Sequence, residues 1–204
     1  MKPIIEKGFD DFYFFHSFLI SLCYNNSPSQ AYKTYSLSRQ KYVMSPTEKS
    51  EIGALLLLKG NPQGKELILE AFQSNTRDET ILANKAFLSL SDGNYVNAIA
   101  IFSYLCGSES FKSYAKSNLI LAKYLGKDEN IGLEDFDKCV LDFPLEAYSF
   151  RNKGIYLFEN ENYKDAAKCF RRAMKLDTNC FEAGAYLDKC LIKLNDNTDN
   201  DDFK

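Results

Sequence analysis

Apolar and small residues recur along this chain at a helical spacing. Between residues 147 and 180 they lie three or four positions apart, in two runs that a polar turn at 160–162 separates. This spacing places them on one face of a helix. The positions concerned are Phe150, Gly154, Leu157, Ala166, Phe170 and Ala173. The segment therefore predicts two amphipathic helices joined by a short turn.

The same pattern returns about every 34 residues through most of the chain. A fixed period of this length is the signature of stacked helical repeats, because one helix pair cannot bury its own apolar face. We expect five helix pairs at 12–45, 46–78, 79–112, 113–146 and 147–180, followed by one capping helix at 181–194. Residues 1–11 are expected to be an N-terminal extension. Residues 195–204, rich in Asp and Asn, are expected to be a disordered acidic tail.

Local chemistry also marks the ends of the expected helices. The run Ser45-Pro46-Thr47-Glu48 has the form of a capping box with proline at the first helical position. Gly60, Gly93 and Gly126 stand where a first helix should end, at a position that favours left-handed backbone angles. These signals predict helix boundaries independently of the repeat.

Two turns resemble those of the tetratricopeptide repeat family. They are Gly93-Asn94-Tyr95-Val96-Asn97-Ala98, followed by Phe102, and Glu161-Asn162-Tyr163-Lys164-Asp165-Ala166, followed by Phe170. Other repeats depart from the family pattern, with Lys65 where a small residue is usual and Lys116 at the usual first aromatic position. The resemblance covers residues 12–194 and implies an all-α, right-handed solenoid.

The resemblance also implies that the first helices of the repeats line a concave groove. Position 6 of three successive first helices holds Asn84, Asn118 and Asn152. A carboxamide offers both a donor and an acceptor, so three in register could hold the backbone of an extended peptide. The other candidate groove residues are Phe87, Leu121, Ile155, Tyr114, Tyr148, Tyr124, Phe158, Arg151 and Lys85. The alternative interpretation is that the apolar part of this set is core.

Charge and composition narrow the class of partner. Lys and Arg total 25 against 28 Asp and Glu, a net charge of −3, so the chain lacks the positive excess that binds a phosphate backbone. We therefore expect no nucleic-acid partner. The apolar stretch 12–24 is shorter than the ~20 residues of a membrane span, which favours a core helix over membrane insertion and makes this aromatic helix a candidate for oligomerisation. The six cysteines lack a C-x-x-C pair, which favours a reduced, cytoplasmic protein.

The sequence contains no motif for catalysis. Nucleotide-binding glycine motifs and the nucleophile elbow are absent, and His16 is the only histidine. Cys169, Cys180 and Cys190 could approach one another near the C-terminal end, which leaves a metal or redox site open as an alternative. We expect no enzyme activity, no cofactor and no metal.

The sequence thus predicts a non-catalytic adaptor, or a subunit of a larger assembly, that binds a partner segment with apolar anchors. One alternative is a small cytoplasmic chaperone for a client or secretion-system protein. A less favoured one is an RNA-binding helical repeat protein, against which the acidic composition argues.

Overall fold

The computed structural model describes residues 12–201, and the side chains of residues 15–195. In this range the regular structure consists of eleven α-helices, with no strand. They are α1 Phe12–Tyr24, α2 Pro28–Ser38, α3 Pro46–Leu58, α4 Gly64–Ser74, α5 Glu79–Ser91, α6 Tyr95–Leu105, α7 Lys112–Leu125, α8 Leu133–Asp142, α9 Ala147–Glu159, α10 Tyr163–Leu176 and α11 Ala183–Asp201. None of these helices combines the length and the apolar character needed to cross a bilayer. The N-terminal extension proposed at 1–11 lies outside the described residues.

The all-α fold of paired helices is confirmed. The first helices of the five pairs begin at residues 12, 46, 79, 112 and 147, within one residue of the expected repeat starts. The box at Ser45 is formed as expected: its backbone N–H donates to Glu48 Oε2 at 2.9 Å, and its Oγ accepts from the Glu48 N–H at 3.3 Å. Local capping and the repeat period therefore agree on where the helices start.

The glycine turns follow the expectation at two of three positions. Gly60 and Gly93 have φ angles of 78° and 74°, in the left-handed region. Gly126 does not, because it still caps α7 with φ −75° and the following residue, Lys127, takes the left-handed conformation at φ 67°. The turn thus occurs one residue later than predicted.

The chain divides into two compact units after Leu88, within α5. In the first unit, Phe15, Leu19, Ile52 and Leu56 form part of one buried cluster. In the second, Phe102, Phe136 and Phe170 are fully buried, one in each repeat. These phenylalanines fill the space between paired helices, as the repeat pattern predicts.

The small residue expected at Lys65 is supplied one position earlier. Gly64 is buried at the start of α4, while Lys65 is exposed. A Cβ on Gly64 would lie 2.1 Å from the carbonyl oxygen of Gly53 in α3. This repeat therefore keeps the close approach of its two helices, in a register shifted by one residue.

The last helix is longer than expected. The expected disordered tail begins at residue 195, but α11 continues to Asp201. Once a helix is nucleated and packed, each added residue fixes one further backbone hydrogen bond, so it can extend beyond Cys190, the last buried residue among those whose side chains are described. Residues 202–204 lie outside the described part of the chain.

Candidate functional site

The position-6 asparagines of the second unit face inward. Asn118 and Asn152 are 0% and 1% exposed. Asn152 Nδ2 donates to the Ser117 carbonyl at 2.9 Å and to Asn118 Oδ1 at 3.3 Å, while Asn118 Nδ2 donates to the Tyr114 carbonyl of its own helix at 2.9 Å. A ladder that holds a peptide needs exposed amides. These two amides instead bind α7 to α9, because burial obliges each polar atom to find a partner inside the protein.

Arg151 is likewise occupied, although we expected its charge beside the ladder. The side chain is 3% exposed. It donates through Nε to the Phe181 carbonyl at 3.2 Å and through a terminal nitrogen to Asn152 Oδ1 at 2.9 Å, and it forms an ion pair with Glu182 at 3.0 Å. Arg151 therefore connects α9 to the residues that precede α11, and its guanidinium group is not accessible to a ligand.

Asn84, in the first unit, is half-buried and makes a related contact. Its Nδ2 donates to Ser50 Oγ at 3.0 Å, in the preceding repeat. One repeat earlier, Glu51 lies 3.6 Å from His16 Nε2. In both units, a polar residue at position 6 thus contacts the residue at position 5 of the preceding repeat. A signal in the sequence existed only for Asn84, because Ser50 offers its side-chain hydroxyl, whereas Asn152 bonds to the backbone carbonyl of Ser117, which any residue type would supply.

The apolar candidates divide into buried and half-buried groups. Phe87, Leu121 and Ile155 are 6%, 1% and 4% exposed, so they belong to the core and are not groove anchors. This outcome follows the alternative interpretation of the stripe.

The remaining aromatic candidates, Tyr114, Tyr124, Tyr148 and Phe158, are half-buried, and other rings surround them. Tyr114 and Tyr148 meet edge to face, with centroids 5.1 Å apart. Burial raises the pKa of the Tyr148 hydroxyl to about 12 and that of Tyr114 further still. Tyr124 packs against Tyr156 and Phe136, and Phe158 against Tyr163 and Tyr186. Lys85, the remaining candidate, lies over the Phe72 ring at 5.9 Å.

An open hollow occurs instead between α7 and α8. It has a volume of about 200 Å³, and its apolar walls come from Leu119, Ile120 and Phe143. Lys116 takes the place of the family's first aromatic residue here, and its Nζ lies 5.6 Å from the centre of the Phe143 ring. Because a lysine stem fills less space than an aromatic ring and its charged end stays near water, the gap between the two helices is not closed.

A second hollow shares Phe143 with the first as a lining residue. It measures about 270 Å³ and is lined by Ser113, Phe143, Pro144, Leu145 and Glu146. Leu145 at its edge is 80% exposed. We call the two hollows together the Phe143 cleft. Lys116, Asp135, Lys138, Cys139 and Asp142 also line the first hollow.

The described residues offer no cluster for a metal. Among them, no three His, Cys, Asp or Glu side chains are placed to hold one ion. Cys169, Cys180 and Cys190 are free thiols, with Cys180 and Cys190 buried. Burial raises the pKa of the Cys180 thiol to about 12, against an opposing effect of Arg151. A thiol in this environment is inert.

Paired helices that repeat about every 34 residues define a helical repeat protein. The sequence model of the tetratricopeptide repeat family matches residues 147–180, the pair α9 and α10. This match and the fold confirm the resemblance to that family. No curated protein matches the chain.

Several solved structures share the fold. MamA from Desulfovibrio magneticus RS-1, from residue 41 to its end, is 16% identical with a TM-score of 0.57, covering 83% of this chain and 96% of that one. YrrB, described as a tetratricopeptide repeat protein with an unusual peptide-binding site, is 15% identical with a TM-score of 0.54, covering 88% and 93%. A chain of the APC/C hetero-tetramer Cut9–Hcn1 is 14% identical with a TM-score of 0.57, covering 87% of this chain and 35% of that one. At these identities the likeness establishes the fold alone.

Proposed function

We propose that this chain is a non-catalytic interaction protein that binds a segment of a partner protein in the Phe143 cleft. The observation that supports this proposal is the pair of open, mainly apolar hollows that share Phe143 as a lining residue, together with Leu145, which lines the second and is 80% exposed. Exposed apolar surface beside a concave site is typical of interaction surfaces. The likeness to YrrB, whose description includes a peptide-binding site, is consistent with such a role.

The shape of the cleft selects the kind of segment. An apolar side chain of leucine size would lie against Leu119, Ile120 and Phe143, and its burial would contribute about 1.5–3 kcal/mol. Lys116, Lys138 and Asp142 lie around these residues and can meet the polar groups of the same segment. A short stretch with one or two apolar anchors fits better than a large flat surface.

The buried amides have an indirect part in this function. Asn152 and Asn118 connect α9 to α7, and α7 forms one wall of the cleft. Since both amides are buried and bonded within the protein, partner binding in the proposed cleft does not depend on an asparagine ladder. We therefore replace the predicted ladder by the cleft as the site of partner binding.

Selection from a display library of short random peptides on the immobilised full chain tests the proposal. Peptides with apolar anchors should bind, and Leu145→Glu should weaken them about tenfold or more, because a carboxylate would stand in the apolar site. Leu37→Glu is the matched control, since Leu37 is 77% exposed and lies in the other unit. Both variants should keep the thermal midpoint of the parent chain, since both side chains are at the surface.

Two results would overturn this proposal. One is a selection that yields no peptide. The other is a set of peptides that bind Leu145→Glu and Leu37→Glu as tightly as the parent chain, because the binding surface would then lie elsewhere.

A further inference from the structure

The outer face of α6 carries an exposed apolar stripe. Val96 and Tyr104 are 79% and 64% exposed, and Ala100 between them is exposed as well. The three residues are four positions apart, so they lie on one face of the helix. The whole stretch 93–108 contains no charged residue. We call Val96, Ala100 and Tyr104 the α6 stripe.

The other repeats carry charge at the same positions. The five second helices can be aligned on one small residue each, namely Ala31, Gly64, Ala98, Gly132 and Ala166. Relative to Ala98, Val96 stands two positions before, Ala100 two positions after and Tyr104 six positions after. Each of the other four sets contains at least one ionised side chain. The sets are Ser29, Lys33 and Leu37; Pro62, Glu66 and Glu70; Asn130, Glu134 and Lys138; and Lys164, Lys168 and Arg172. The absence of charge is therefore specific to α6 and not a property of the repeat.

We propose that the α6 stripe is the contact surface of a symmetric dimer of this chain. A two-fold contact places the same patch of both copies together, so a charged patch meets its own charge. The outer face of α10, with three cations, would repel itself in such a contact. The α6 stripe has no charge to oppose self-association, and its area of exposed apolar side chains would be removed from water.

The order of residue sizes along the stripe also suits a two-fold contact. With the symmetry axis beside Ala100, the two helices run antiparallel and Val96 of one copy lies at the level of Tyr104 of the other. The small side chain at the centre permits close approach, and the two larger ones fill the space at either end. Asn97 and Ser103, both exposed, flank the stripe and supply a polar rim.

The size of the contact predicts a weak dimer. α6 has 11 residues, which correspond to a length of about 16 Å. A single pair of helices of this length lies at the small end of specific interfaces. The dimer should therefore form in concentrated solution and dissociate on dilution.

Sedimentation equilibrium of the full chain, from about 10 µM to about 500 µM, tests the proposal. The parent chain should shift from monomer to dimer across this range. The triple variant Val96→Lys, Ala100→Lys, Tyr104→Arg, which copies the residues of α10, should have a dissociation constant at least about tenfold higher. Leu37→Lys occupies the same register position in α2 as Tyr104 does in α6, and this control should dimerise as the parent does.

Crosslinking locates the contact directly. Ala100→Cys should form a disulfide-linked dimer under mild oxidation, because the proposed axis brings the two thiols together, whereas Lys168→Cys should not. A parent chain that stays monomeric at the highest concentration would overturn the dimer and assign the stripe to a different protein. A triple variant that dimerises as well as the parent, or equal crosslinking of both cysteine variants, would also overturn it.

Discussion

The carboxamide of Asn152 makes hydrogen bonds to three buried residues. Its nitrogen donates to the Ser117 carbonyl and to Asn118 Oδ1, and its oxygen accepts from Arg151. A buried donor or acceptor that loses its partner retains its full desolvation cost. Asn152 therefore connects α7 to α9 by hydrogen bonds. The ion pair of Arg151 extends this network to Glu182.

We predict that Asn152→Ala lowers the free energy of unfolding by about 1–3 kcal/mol, because it removes the hydrogen bonds that the buried Asn118 Oδ1 and one Arg151 N–H group make to this side chain. Urea unfolding followed by circular dichroism measures this loss. Asn97→Ala is the control: Asn97 is exposed on α6, and its replacement should change stability by less than about 0.5 kcal/mol. Equal effects of the two substitutions would show that the buried amide network does not stabilise the fold.

At the scale of helices, the α3–α4 pair is closed by two glycines. A Cβ on Gly53 would lie 2.7 Å from the Gly64 carbonyl oxygen, and one on Gly64 would lie 2.1 Å from the Gly53 carbonyl oxygen. Both distances are shorter than any real Cβ contact, and the obstacle in each case is backbone, which cannot rotate away. The backbones of these two helices therefore touch at this point, and only residues without a side chain fit there.

Gly64→Ala should destabilise the protein by about 3 kcal/mol or more, since α3 and α4 must separate to admit the methyl group. Gly184→Ala makes the same chemical change near the start of α11, where the new Cβ would meet only Met174 Cε at 3.8 Å. That variant should be neutral or more stable by up to ~1 kcal/mol, because alanine favours a helix over glycine. Thermal unfolding of both proteins checks the opposite signs, and a loss of stability in both would argue against the close contact as the cause.

At the scale of the whole molecule, several ionisable groups are kept neutral by burial. Burial raises the pKa of the Cys180 thiol from its ordinary value of 9.0 to about 12, and the pKa of the Tyr148 hydroxyl from 10.0 to about 12. At a pH between the ordinary pKa and the raised pKa of each group, the folded chain keeps a proton that the unfolded chain releases. The stability that depends on the neutral groups is therefore complete below about pH 9 and decreases as the pH rises toward 12.

We predict that the thermal midpoint at about pH 10.5 is clearly lower than at about pH 8. Cys180→Ala removes one of the raised groups, so its midpoint should decline less over the same interval, although its value at pH 8 is lower through lost packing. Calorimetry at several pH values measures both slopes. If the parent and the variant decline in parallel, ionisation of Cys180 is not linked to unfolding.

The sequence by itself determined the helices, their pairing and their period, because these depend on local capping and on the spacing of apolar residues within one repeat. Ser45, Gly93 and Phe170 carried this information without reference to distant parts of the chain. It also determined which repeats depart from the pattern, at Lys65 and Lys116. Both departures marked places where the structure differs from the regular repeat.

The tertiary structure decided which of the recurring residues face a neighbour and which face solvent. Asn84, Asn118 and Asn152 share one repeat position, yet only Asn118 and Asn152 are fully buried. Asn152 bonds to Ser117 and Arg151 inside the protein. The cleft beside Phe143 also depends on how far α7 lies from α8, which no single repeat specifies. Periodicity fixes the direction of a side chain on its own helix, whereas exposure depends on every helix packed around it.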